Sequence, residues 1–260
     1  CTWITFKPGS NITEIPANAF KKLTQLETQI IPKSVISIGK HAFHGLAKLT
    51  KIEFESDSQL QNIGEWAFSY CIALTNIIIP KSVTIIGDYA FMSCSKLTTI
   101  EFESGSQLTT IHNRAFAFCK ALTNITIPKS VTSIDESAFL DCSKLTTIDF
   151  EPDSQLEKIG FMTFMACEAL KNITIPKSVT SIGEGAFMTC PTLTKIEFES
   201  GSQLTNIPRR AFEECSLLET INIPDSVTSI GNTAFAYCSS LQTITIPDSV
   251  TSIGRSAFAK

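Results

Sequence analysis

Apolar and polar positions along this chain follow one short pattern that keeps returning. In residues 122–142, LTNITIPKSVTSIDESAFLDC, the apolar positions are Leu122, Ile125, Ile127, Val131, Ile134, Ala138, Phe139 and Cys142. Residues 97–119, LTTIEFESGSQLTTIHNRAFAFC, give the same roles to Leu97, Ile100, Phe102, Leu108, Ile111, Ala115, Phe116 and Cys119. A Phe, usually after Ala, marks each return, at Phe20, Phe43, Phe68, Phe91, Phe116, Phe139, Phe164, Phe187, Phe212, Phe235 and Phe258. Spacings of 23 and 25 alternate until the last two, which are both 23. The two extra residues of the longer unit fall in segments such as ESGSQ. Self-similarity at this period is the signature of a stacked repeat array.

The I-x-I or I-x-F step has strand periodicity, with alternate side chains inward. In short units Pro32, Pro80, Pro128, Pro176, Pro224 and Pro247 end the strand, because Pro cannot donate to a ladder. No single unit can bury its apolar side. Stacking units about 4.8 Å apart joins the strands into one parallel sheet and the apolar positions into columns. The x-x-A-F-x-x-C segment is expected to form a helical turn opposite the sheet. The fold class expected is therefore an α/β repeat solenoid: a right-handed, leucine-rich-repeat-like coil with a short-stranded parallel sheet on one face. About eleven coils would form a single solenoid over residues 1–260. Its ends read as cut within repeats, at Cys1 and Lys260.

The pattern L-x-x-I-x-I-P-x-S-V-T-S-I-G-x-x-A-F-x-x-C, as in residues 170–190, resembles the Treponema-type leucine-rich repeats of BspA-like surface proteins. The resemblance covers nearly the whole chain. It implies a leucine-rich-repeat fold and adhesion to host proteins, host cells or other microbes, and it identifies no catalytic residue. Departures are local: Leu23 and Leu46 stand for the Cys, Gln29 for a strand Ile and Thr163 for the Ala, so the first coils read as an altered, capping-like end.

Composition narrows the function. The chain is 43% hydrophobic, with 21 Lys and Arg against 25 Asp and Glu for a net charge of -4. Nucleic acid calls for a basic face, which is absent. No apolar run approaches the roughly 18–20 residues of a membrane span, so a membrane is reached only through a segment not present here. Eight cysteines, from Cys71 to Cys238, occupy one repeated position and read as buried thiols. Neighbouring coils would present parallel Cα–Cβ vectors, unsuited to disulfides. Cys1 is terminal and separate. His41-x-x-His44 has the spacing of two metal ligands but lacks a third. There is no nucleophile motif or phosphate loop, and the repeated Ile-Gly reads as a turn favouring Gly. No cofactor, metal site or enzyme activity is expected.

Residues between the inward strand positions must face solvent. In long coils they are acidic: Glu53 and Glu55, Glu101 and Glu103, Asp149 and Glu151, Glu197 and Glu199. In short coils they are neutral, as in Asn124 and Thr126 or Asn172 and Thr174. Glu53, Glu101, Glu103, Asn124, Thr126, Asp149, Glu151, Asn172, Thr174, Glu197 and Glu199 are thus the expected partner-binding face. A second candidate is an apolar patch of Trp66, Tyr89, Phe161 and Met162. The alternative is that these residues fold over their own coil, while Met92, Leu140, Met165 and Met188 are expected to seal the core. The expected function is a cell-surface or secreted adhesin segment binding a host cell-surface or matrix protein, or other microbes. A carbohydrate-binding array, with glycan as partner, and a structural spacer are the alternatives.

Overall fold

A computed structural model describes residues 4–7 and 9–260; Cys1 lies outside them. Each coil carries two strands. The first runs four residues in most coils, as in Thr28–Ile31, Lys51–Phe54, Asn76–Ile79, Thr99–Phe102, Asn124–Ile127 and Thr147–Phe150, which pair in parallel as a six-stranded sheet. Asn172–Ile175, Lys195–Phe198 and Thr220–Ile221 continue it as three more. We call this the broad sheet. The four-residue strands of its short coils stop at the residue before Pro, as the ladder requires.

The second strand is only two residues long. Glu14–Ile15, Ser37–Ile38, Asn62–Ile63, Ile85–Ile86, Thr110–Ile111, Ser133–Ile134, Lys158–Ile159 and Ser181–Ile182 form an eight-stranded parallel sheet. Asn206–Ile207, Ser229–Ile230 and Ser252–Ile253 add three strands beyond. The expectation of a sheet on one face is therefore corrected: V-T-S-I also pairs from coil to coil, making a second, narrow sheet.

The expected helical turn is corrected as well. No helix occurs among the described residues; the fold is a parallel β-solenoid, not an α/β coil. The reason lies in where the backbone N–H groups of the A-F segment go. Ala67, Ser69 and Cys71 donate to carbonyls three residues earlier in their own coil, Gly64, Trp66 and Phe68. Trp66, Phe68 and Tyr70, alternating with them, donate to Asp88, Ala90 and Met92 of the next coil at 2.9, 2.7 and 2.8 Å. A helix would keep every N–H within one segment. Here half are spent on stacking, and this is possible because Trp66 and Tyr70 adopt positive φ, at 58° and 59°. Equivalent residues do so in coil after coil, including Tyr89, Arg114, Ser137 and Met162. A left-handed residue other than Gly costs about 1–2 kcal/mol, which the intercoil hydrogen bond helps offset.

The core is one continuous apolar column from Ile15 to Ala257. Phe116, Phe139 and Phe164 are fully buried, with ring centroids 5.4 Å apart at both steps. All eight repeated cysteines are free and buried. Each thiol donates to the carbonyl of a Phe in the preceding coil, as from Cys71 Sγ to Phe43 O at 3.2 Å. Burial pushes the Cys190 thiol up to about 12, so the column is chemically quiet.

Hydroxyls tie the outer layers. Thr98 Oγ1 donates to Thr75 O and Thr146 Oγ1 to Thr123 O; Thr132 and Thr228 do the same beside the narrow sheet. Ser82 Oγ, from the P-K-S segment, lies 2.8 Å from both Ser58 O and Leu60 O of the preceding long coil. It therefore fastens the segment in which the extra residues sit. The repeated Ile-Gly has a different cause from the expected turn. Its Gly have ordinary φ but lie against the preceding backbone: a Cβ on Gly183 would sit 2.4 Å from both Gly160 C and Phe161 N. In the altered first coils, buried Gln29 donates from Nε2 to Ile4 O and Ile30 O.

Candidate interaction surface

The outer side of the broad sheet is built by strand alternation. In Asn124–Ile127 and Asn172–Ile175 the pattern is exposed, buried, exposed, buried, which puts Asn124, Thr126, Asn172 and Thr174 on the surface. Register then sets the rows. Glu53 lies beside Ile30, Glu101 beside Ile78, Asp149 beside Thr126 and Glu197 beside Thr174. Acidic and neutral positions therefore alternate coil by coil. This spacing avoids like charges side by side in a parallel ladder.

The carboxylates are not equivalent. Lys51 Nζ is 2.6 Å from Glu53 Oε1, and Lys195 Nζ is 2.7 Å from Glu197 Oε1. Thr99 and Thr147 take the place of those lysines beside Glu101 and Asp149, which have no ion-pair partner among the described residues. The strongest uncompensated negative charge thus falls at the centre of the face. A Lys two residues before a Glu within a strand was readable as a same-side pair, and it marks the lysines that the face includes.

Glu103, Glu151 and Glu199 stand at the margin of that face, with Glu103 beside Glu53 and Glu101. They follow the strands, and each accepts a backbone hydrogen bond from the preceding coil, from the N–H of Lys81, Lys129 and Lys177 at 2.9 Å. Glu55 does the same for Lys33 at 3.0 Å. Their carboxylates cap a peptide freed where Pro ends the strand. The four coils with Lys after Pro are the ones followed by such a Glu; where the next coil carries Pro247 instead, the residue is Asp225.

The second candidate patch resolves into separate features. Trp66 stacks on Tyr89 with centroids 4.2 Å apart and planes 11° from parallel. Arg114 continues the ladder, its guanidinium 5.8 Å from the Tyr89 ring. These side chains pack from coil to coil rather than over their own coil. Phe161 is exposed, and Met162 covers Gly185, well down the solenoid from Trp66. Met92, Leu140, Met165 and Met188 are half-buried at the edge of the core.

His41 and His44 join the aromatic ladder. Their rings are 5.0 Å apart, and His41 stacks over Trp66 at 5.9 Å. Both imidazoles are held below the ordinary 6.5, first by burial, then by Lys40 and Lys21 at His41 and by His41 and Lys21 at His44. As pH falls through about 6.5 the unfolded chain takes up these protons before the folded one, so stability declines on acidification. We expect thermal denaturation midpoints to drop between about pH 7 and pH 5, and the drop to shrink in a His41→Asn, His44→Gln double variant. An unchanged drop would remove these histidines from the account. No group of three or more His, Cys, Asp or Glu is placed to hold a metal among the described residues.

The profile described as BspA type leucine-rich repeat region matches residues 13–146 and 141–260, in six copies. The chain belongs to the BspA-type leucine-rich-repeat family. No curated protein matches it. Among solved structures, the BspA-type chain is similar to a leucine-rich-repeat protein from Bacteroides ovatus, with 26% identity over 98% of this chain and 82% of that one, at a TM-score of 0.54. It is also similar to the pneumococcal vaccine antigen PcpA, with 27% identity over 94% of this chain and 64% of that one, at 0.63. The Treponema pallidum leucine-rich-repeat protein shares the fold, at 23% identity over 92% and 86%, with a TM-score of 0.51. The BspA-type family is non-catalytic and of surface, adhesin-like character, and leucine-rich repeats generally mediate protein–protein contacts.

Proposed function

We propose that this BspA-type solenoid is a surface-displayed or secreted adhesin segment that holds a host or microbial protein against its broad sheet. The observation that carries the reading is the exposed face itself, where Glu101 and Asp149 stand without a cation among neutral Asn and Thr rows. Extended faces of solenoids serve as binding surfaces because neighbouring coils present side chains in fixed order. A partner with a basic surface would find charge complementarity that speeds encounter and sets register. The aromatic ladder gives less support to sugar recognition, because Trp66 and Tyr89 turn their ring faces to each other.

The test is charge reversal. A Glu101→Lys, Asp149→Lys, Glu197→Lys triple variant is expected to lose capture of host-cell surface and matrix proteins while keeping the wild-type melting temperature. All three sites are solvent-exposed, so the core is untouched. Capture at wild-type levels by the folded variant would exclude this face.

A further inference from the structure

The broad sheet is not zipped evenly, and we infer that its openings are anchor sites for an apolar side chain flanked by cations on an extended protein segment. This rests on the broad-face reading and specifies what chemistry the partner brings to it. At a short-to-long step the strands pair along their whole length, with Asn76, Ile77, Ile78 and Ile79 opposite Thr99, Ile100, Glu101 and Phe102. The next N–H, from Glu103, then donates to Ile79 O at 3.0 Å. At long-to-short steps fewer pairs survive: one each at Lys51–Asn76 and Thr99–Asn124, none between Thr147–Phe150 and Asn172–Ile175, and two at Lys195–Thr220 and Ile196–Ile221. The residue that would donate there is Pro80 or Pro128, which has no N–H to give. Beyond these pairs the ladder register is lost.

Each opening uncovers the Phe at the end of the long-coil strand. Phe54 is half-buried, whereas Ile31 and Ile79 in the coils on either side are fully buried. Between Phe54 and Pro80 lies a cleft of about 430 Å³. The same junction opens beside Phe6 and Pro32, at about 250 Å³, and beside Phe198 and Pro224, at about 340 Å³. Clefts that take small ligands hold about 300–1,000 Å³. The Phe54 cleft adds Ile78, 53% exposed, to its wall. Its rims carry Glu101 and Glu103, neither of them ion-paired among the described residues, beside Glu53, which Lys51 neutralises.

This combination selects its occupant. A partner lying over a sheet face meets the projecting side chains first, so its own side chains decide the fit. A purely apolar residue would cover Glu101 without compensating its charge, which is costly. A purely cationic one would leave Ile78 and Phe54 in water. An extended segment with an aliphatic residue between two Lys or Arg satisfies both walls and rims.

Calorimetric titration of the intact chain with a synthetic peptide tests this, the peptide having one Leu with an Arg two residues away on each side. Micromolar binding is expected, weakened at least tenfold when the peptide Leu becomes Ser or both Arg become Glu. Ile78→Lys is expected to weaken it at least tenfold, and Ile72→Lys, an exposed site elsewhere, to leave it unchanged. Absence of binding, or wild-type binding by Ile78→Lys, overturns the anchor. If Ile78→Lys has no effect while Glu101→Lys still weakens the peptide, the anchor falls and the acidic face stands. Loss of the face reading itself is read separately, from host-protein capture by the triple charge reversal.

Discussion

Replacing Phe139 with alanine is expected to destabilise the protein by about 3–5 kcal/mol, the usual loss when a large buried aromatic is truncated and its cavity cannot close. Phe139 has no solvent exposure and is stacked on both sides, by Phe116 and Phe164. Neither neighbour can move into the gap without leaving its own coil. Because coils in such an array touch only their neighbours, the loss falls on two interfaces in the middle of the chain. Urea denaturation followed by circular dichroism should show a lower midpoint and a broader transition, as the two halves begin to unfold separately. Leu140→Ala, at the next, half-buried position, should cost much less. Equal losses at the two positions would contradict a continuous Phe column.

The second large effect is expected at Gly183. Alanine there is expected to cost about 1–3 kcal/mol, the range for forcing extra atoms into a packed site. Its Cβ would meet Gly160 C and Phe161 N at 2.4 Å and Gly160 O at 2.5 Å, all backbone atoms. No side chain can swing aside to relieve the contact. His112 and Asp135 hold the equivalent places in two adjacent coils, where their side chains pair at 3.3 Å, so the corner can widen when both coils change together. A control separates crowding from backbone freedom. Gly201 has φ of +82° with nothing near its missing Cβ, and Asp57 and Asp153 occupy the same turn with φ of 59° and 60°. Gly201→Asp should therefore stay within about 0.5 kcal/mol of wild type. Thermal melts of the two variants check the contrast, and equal destabilisation would defeat it.

The exposed face was partly readable and partly not. Strand alternation placed Glu53, Glu101, Asp149, Glu197 and their neutral neighbours, since a period of two leaves no choice of side once the Ile face inward. It could not tell Glu101 from Glu103. Both looked like strand residues, but the second lies where the ladder ends and is captured by the N–H of Lys81. That bond depends on which coil sits underneath, a fact carried by stacking order. Trp66 and Tyr89 were visible as a pair in adjacent coils, and only their shared left-handed backbone brought the rings face to face.

The apolar positions and their 23- and 25-residue spacing were enough to establish a stacked coil with Phe, Ile and Cys columns, because no other arrangement buries every repeat equally. The tertiary structure decided how the remaining backbone groups were satisfied. Alternate N–H groups of the A-F segment reach across coils instead of closing a helix, a second sheet forms at V-T-S-I, and the broad sheet parts wherever Pro lacks a donor. Those outcomes depend on what the neighbouring coil offers each hydrogen bond. A pattern of side chains read along one strand of sequence does not contain that partner.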